Sequence, residues 1–177
     1  MTADIPKLTD LEYISYLSEQ GTISPELGGK IGVYAIFDQN RILQYVGYSR
    51  NIALSLKQHL IRQPDQCYWL KVQTITRPSR TVLDNIRTAW IRENGEHPRG
   101  NREDEEKWTQ PINIKPLMPE DERQAYQQSD ELAKSKLLKK ICRKIEAEIL
   151  EKLKTRNFQE EIRFNPKLKE QGLLDLK

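Results

Sequence analysis

At 177 residues the chain has the length of one ordinary domain with an appendage. With 31% charged and 37% hydrophobic residues it supports only a modest core, and no apolar run approaches the ~18 residues of a membrane span. Two cysteines, Cys67 and Cys142, are too few for a disulfide framework or a zinc site, and Met1–Lys7 carries no leader-like pattern, so the sequence reads as reduced, intracellular and cytoplasmic.

In chain order, Thr9 or Asp10 caps an expected first helix running to Glu19, with Leu11, Ile14 and Leu17 at helical spacing and Gly21 as its stop. Ser24-Pro25 and Gly28-Gly29 mark a turn. Ile31–Phe37 and Ile42–Val46 are apolar runs of strand type, and Asp38–Arg41 between them reads as a hairpin turn. Asn51–Arg62 is helical, with Ile52, Leu56, His59 and Leu60 on one face. Tyr68, Leu70, Val72 and Thr74 alternate within a third strand, Cys67–Thr76. Pro78-Ser79 opens a second long helix with Val82, Ile86, Ala89 and Trp90 inward, closed by Asn94-Gly95.

Beyond this point the composition shifts. Residues 101–133 carry 4 basic and 9 acidic groups, whereas 134–177 carry 13 basic and 7 acidic. Pro98–Pro119 reads as an irregular connection. Leu132–Leu153 is an amphipathic helix with Leu138, Ile141, Ile145, Ile149 and Leu153 in one stripe. Lys134, Lys136, Lys139, Lys140, Arg143 and Lys144 crowd its first half, where positive charge opposes the helix dipole. Phe158–Phe164 reads as a strand or turn and Pro166–Leu176 as a short final helix.

The triplets Gly32-Val33-Tyr34 and Tyr45-Val46-Gly47, followed by Ser49, Asn51 and His59, resemble a GIY-YIG nuclease domain in order and spacing. That resemblance implies an α/β fold. It would hold a small, mostly antiparallel three-stranded sheet flanked by helices, with an N-terminal helix before it and a helical extension after it. The boundaries would be 1–29 for helix and linker, 30–101 for the domain, 102–131 for the acidic, proline-containing connection and 132–177 for the basic extension. It also implies a site in which Tyr34, Tyr45 and His59 handle a water at a phosphate, with Asn101 of the Pro98–Asn101 loop in support. Phosphodiester hydrolysis further needs charge relief and, in that family, one divalent metal.

Two positions depart from the pattern. Ser55 stands where the family has an arginine, one turn before His59, and serine offers no fixed charge or fork to phosphate. Arg62, three residues after His59, is a candidate to lean back in its place. Ala89 stands where the family has its metal-holding glutamate, and Glu93, one turn later on the same face, is the candidate substitute. The favoured expectation is a catalytically degenerate domain that binds nucleic acid or protein. The alternative is a metal-dependent endonuclease with a single Mg²⁺ or Mn²⁺. The six cations of the C-terminal helix are the candidate binding surface for either nucleic acid or a protein partner.

Overall fold

A computed structural model describes residues 5–177. It divides into two compact units, Met1–Thr109 and Gln110–Lys177. The reading of the extreme N-terminus falls in part on residues 1–4, outside the described residues. Among the described residues no helix is long and apolar enough to cross a membrane.

The first unit is α/β and is built on a four-stranded sheet in the order β1-β4-β2-β3, every neighbouring pair antiparallel. Its strands are β1 (Ile14–Ser15), β2 (Ile31–Phe37), β3 (Leu43–Ser49) and β4 (Trp69–Ile75). The fourth strand is β1, and it corrects two expectations, the three-stranded sheet and the N-terminal helix. In place of a helix over 9–19, a 3-10 turn at Leu8–Asp10 leads into extended chain. Side chains of β type decide the outcome. Tyr13 packs edge-on against Phe37 at 5.0 Å, and Tyr16 is fully buried. Three residues apart, the two rings point to opposite faces of extended chain, Tyr13 to Phe37 and Tyr16 to the Leu56 carbonyl, whereas a helix would have put both on one face.

The central strand β2 is buried along nearly its whole length. Its alternation sends Val33, Ala35 and Phe37 to one face, where they join Leu83, Ile86 and Trp90 in one core cluster. Those three residues come from α2 (Arg80–Asn94), whose first turn is capped by Ser79 Oγ accepting the Val82 N–H. Trp90 Nε1 donates to the Pro6 carbonyl at 3.0 Å and so ties the N-terminal segment to this core. Tyr34 and Ile36 face the other way, towards α1 (Ile52–Arg62), which buries Ile52, Leu56, His59 and Leu60 and is capped by Asn51. A bulge between Ile36 and Phe37 shifts the β2–β3 register by one residue.

Two glycines explain the triplets in terms of packing. Gly32 passes so close to the Gln73 backbone that a Cβ would collide with it. Gly47 pairs with Tyr34 across the strands, and a Cβ there would stand 2.6 Å from Tyr45 Cε1 and 2.8 Å from Tyr34 Oη. Gly47 is therefore the space into which both tyrosine rings pack.

Residues 98–109, expected to be irregular, contain a 3-10 turn at Arg99–Asn101 and α3 (Glu105–Thr109). The turn closes the open edge of β3. Asn101 Oδ1 accepts the Val46 N–H and Asn101 Nδ2 donates to the Val46 carbonyl, both at 2.7 Å. One buried side-chain amide thus completes both backbone groups of an edge residue, as a neighbouring strand would.

The second unit holds β5 (Ile112–Asn113), α4 (Glu120–Gln128), α5 (Glu131–Thr155), α6 (Pro166–Lys169) and β6 (Leu173–Leu174). β5 and β6 form a two-stranded antiparallel sheet. The expected final helix therefore ends after one turn and gives way to a strand. In α5, Asp130 caps the first turn, and Leu138, Ile141, Cys142, Ile149 and Leu153 are buried.

Replacing Asn101 by alanine leaves a buried N–H and a buried carbonyl of Val46 without partners. Urea unfolding should show a loss of about 2 kcal/mol or more; a loss below about 0.5 kcal/mol would mean that water replaces the amide at no cost.

Candidate functional site

The structure brings Tyr34, Tyr45 and His59 together on the α1 face of the sheet. Tyr34 comes from mid-β2, Tyr45 from β3 opposite Ile36, and His59 from the last turn of α1. Tyr34 Oη and His59 Nε2 lie 2.7 Å apart. Ring centres are 5.5 Å apart for Tyr34–His59, 4.9 Å for Tyr45–His59 and 6.3 Å for Tyr34–Tyr45.

A fourth ring closes the group. Trp108, from α3, lies parallel to Tyr45 with an interplanar angle of 6° and a centre distance of 5.1 Å, and its centre is 5.6 Å from that of His59. All four residues are buried. Arg62 fastens the tryptophan by donating from Nη1 to the Trp108 carbonyl at 3.0 Å. Sequence reasoning missed Trp108 because it sits in an acidic, polar stretch read as a connection. The available signal was the residue itself, since a large ring amid Glu103–Thr109 has to anchor somewhere.

Burial sets the protonation states. It lowers the His59 pKa from 6.5 to about 3, with Arg62 adding to the effect and the Trp108 backbone opposing it. Burial raises the Tyr34 phenol well above 10, and the neighbouring Tyr45 adds to this. Tyr45 is raised too, by burial first, with Arg87 pulling against it. Near neutral pH the cluster is therefore two phenols and a neutral imidazole. A protonated phenol donates, so Nε2 accepts the Tyr34 proton and the imidazole carries its own on Nδ1. Nδ1 is buried with no partner at bonding distance, and the Trp108 carbonyl acts on the ring only from farther out.

The positive charge near the tyrosines comes from Arg62 and Arg87, whose fields both act on Tyr34 and Tyr45. Arg87 went unnoticed in the sequence because it lies two residues before Ala89, on a helix read for its apolar face. Ser55, in place of the family arginine, donates to Ser49 Oγ at 2.7 Å, and its hydroxyl acts on the Tyr34 phenol against the effect of burial. Glu93 is placed elsewhere. Its carboxylate accepts the Leu8 and Thr9 amides at 2.7 and 2.8 Å, and it lines a recess with Tyr13, Arg41 and Lys71. A hard divalent ion takes several oxygen ligands, carboxylates among them. Among the described residues no group of three or more His, Cys, Asp or Glu could hold a metal, so the residues at the tyrosines do not fit Mg²⁺ or Mn²⁺.

On α5 the six cations part into two sets. Lys134 pairs with Glu131 at 3.8 Å and stands over the Tyr126 ring, and Lys139 pairs with Glu170 at 3.0 Å. Lys136, Lys140, Arg143 and Lys144 are exposed and form one stripe at helical spacing. Both cysteines are fully buried, and neither is in a disulfide. Cys67 Sγ faces the His59 carbonyl, and burial raises the Cys142 thiol to about 11.

No protein-family model matches the chain. A stretch of 75 residues is 41% identical to the bifunctional monothiol glutaredoxin-S16, chloroplastic, of Arabidopsis thaliana, covering 40% of this chain and 26% of that protein. The chain thus spans about a quarter of the curated relative it matches. These findings correct the family expectation. The relative is named as a glutaredoxin and not as a nuclease, and the GIY-YIG assignment is withdrawn. With it go the endonuclease, degenerate-nuclease and DNA-binding readings that rested on the triplets. The glycines and tyrosines of the triplets are accounted for by close packing around Gly47 and Gly32. The relative's name says chloroplastic, so it gives no support to a cytoplasmic setting.

The neutral histidine makes a pH prediction. Below pH 6.5 the unfolded chain takes up a proton that folded His59 refuses until about pH 3, so its contribution to stability is lost as pH falls through that window. Between about pH 7 and about pH 4.5 the wild type should lose about 2 kcal/mol more than His59→Gln in urea unfolding. Parallel losses in the two proteins would show that His59 is exposed enough to titrate normally.

Proposed function

We propose that the chain serves a thiol-redox system as its recognition module, and that it does not supply the reacting thiol. The observation that carries this reading is the burial of both cysteines in a chain that shares 75 residues with part of a bifunctional monothiol glutaredoxin. Thiol exchange proceeds through an accessible thiolate. Cys67 has no exposed surface, and Cys142 is buried and held protonated. The relative's name declares more than one function, and the match occupies about a quarter of its length. A module without a usable thiol belongs to the part of such an arrangement that recognises.

The partner we assign to it is a monothiol glutaredoxin, engaged through the exposed stripe Lys136, Lys140, Arg143 and Lys144. These four cations have no ion-pair partner among the described residues. The buried stripe of α5 fixes the helix, so the charges sit on a rigid support. Exposed charge of this kind governs association rate and salt dependence more than depth of binding.

The purified chain should show no catalysis of thiol–disulfide exchange with a small mixed disulfide, and an aromatic disulfide reagent should titrate its cysteines only after unfolding. It should form a saturable complex with a separately produced monothiol glutaredoxin. Neutralising Lys136, Lys140 and Lys144 to glutamine should slow association about tenfold or more at low salt. Catalysis of exchange by the native chain, or the absence of any complex, would overturn the reading.

A further inference from the structure

A recess of about 330 Å³ opens between the end of β3 and the start of α2. Tyr48, Ser49 and Arg50 form one wall, and Ser79, Arg80 and Leu83 the other. No carboxylate lines it. Arg50 and Arg80 are exposed, and among the described residues neither has an ion pair or a side-chain hydrogen bond. A third guanidinium stands close by. Arg87, one turn beyond Leu83, lies over the Tyr48 ring at 6.0 Å, and its Nε is buried with no partner. Like charges gathered without a counter-ion oppose one another, and an anion between them relieves that opposition.

The backbone adds to the same preference. Ser79 Oγ accepts the Val82 N–H and the Ser79 carbonyl accepts that of Leu83. The amides of Arg80 and Thr81, first in the helix, are left facing the open end of α2, where negative charge is favoured. The floor of the recess leads inward. Ser49 Oγ accepts from Ser55 Oγ at 2.7 Å, and the Ser55 hydroxyl also acts on the Tyr34 phenol.

We propose that this recess binds a small molecule carrying an oxyanion, a carboxylate or a phosphate ester, held by Arg50 and Arg80 with its body against Tyr48. Guanidinium groups match such an anion with paired N–H donors, and the volume suits a small metabolite. The inference stands apart from the thiol-system reading, since neither cysteine and no cation of α5 lines the recess.

The test is calorimetric titration of the full chain at low salt with inorganic phosphate and, separately, with succinate. At least one should saturate with a dissociation constant of about 1 mM or below, and the tighter of the two identifies the head group. Arg50→Ala and Arg80→Ala should each weaken it about tenfold, the scale of one lost charge-assisted hydrogen bond. Both side chains are exposed, so melting temperatures should not move. Arg99→Ala, at an exposed arginine paired with Glu103 and Asp104, should leave binding unchanged. Saturation by neither probe at about 10 mM, or saturation indifferent to both recess variants, would overturn the proposal.

Discussion

The bond between Tyr34 Oη and His59 Nε2, sealed under Trp108, is the interaction on which the first unit turns. It joins the central strand to α1 from inside the core, and it does so with polar atoms that burial would otherwise penalise. The surrounding features serve it. Gly47 leaves room for the two phenol rings, Asn101 holds β3 at Val46, next to Tyr45, and Arg62 holds Trp108 by its carbonyl. Ser55, whose hydroxyl acts on the Tyr34 phenol, donates outward to Ser49. Because the imidazole is neutral and the phenols are protonated, the Tyr34–His59 bond itself carries no charge.

Much of the first unit was legible in the sequence because its local signals agree with its packing. The Ile31–Phe37 and Leu43–Ser49 strands, the Asn51 and Ser79 caps and the alternation of Trp69–Ile75 all combine turn chemistry with a periodic apolar pattern. The N-terminal segment was misread because Leu11, Ile14 and Leu17 fit helical spacing, while the rings of Tyr13 and Tyr16 fix extended chain through contacts distant in sequence. Trp108 and Arg87 were illegible for the same kind of reason. Each reaches the tyrosines from another element, and spacing within one element cannot show that.

The resemblance that organised the sequence reading shows how a pattern can have a packing cause. Gly32 and Gly47 are where another group comes too close for a Cβ, and the tyrosines fill the space so opened. The similarity to part of a bifunctional glutaredoxin, beside two buried thiols, moves attention from the triplets to recognition surfaces. Two such surfaces carry unpaired cations, one along α5 and one in the recess beside Tyr48, and they lie in different units of the chain.

The central claim is that His59 is a neutral imidazole locked to Tyr34 within a closed aromatic cluster. Nitrogen-15 NMR of the His59 ring across a pH series tests it directly. The expected result is a His59 ring that keeps an unprotonated Nε2 and a protonated Nδ1 down to about pH 4.5. A His59 ring that takes up its proton near the ordinary histidine pKa of about 6.5 would contradict it.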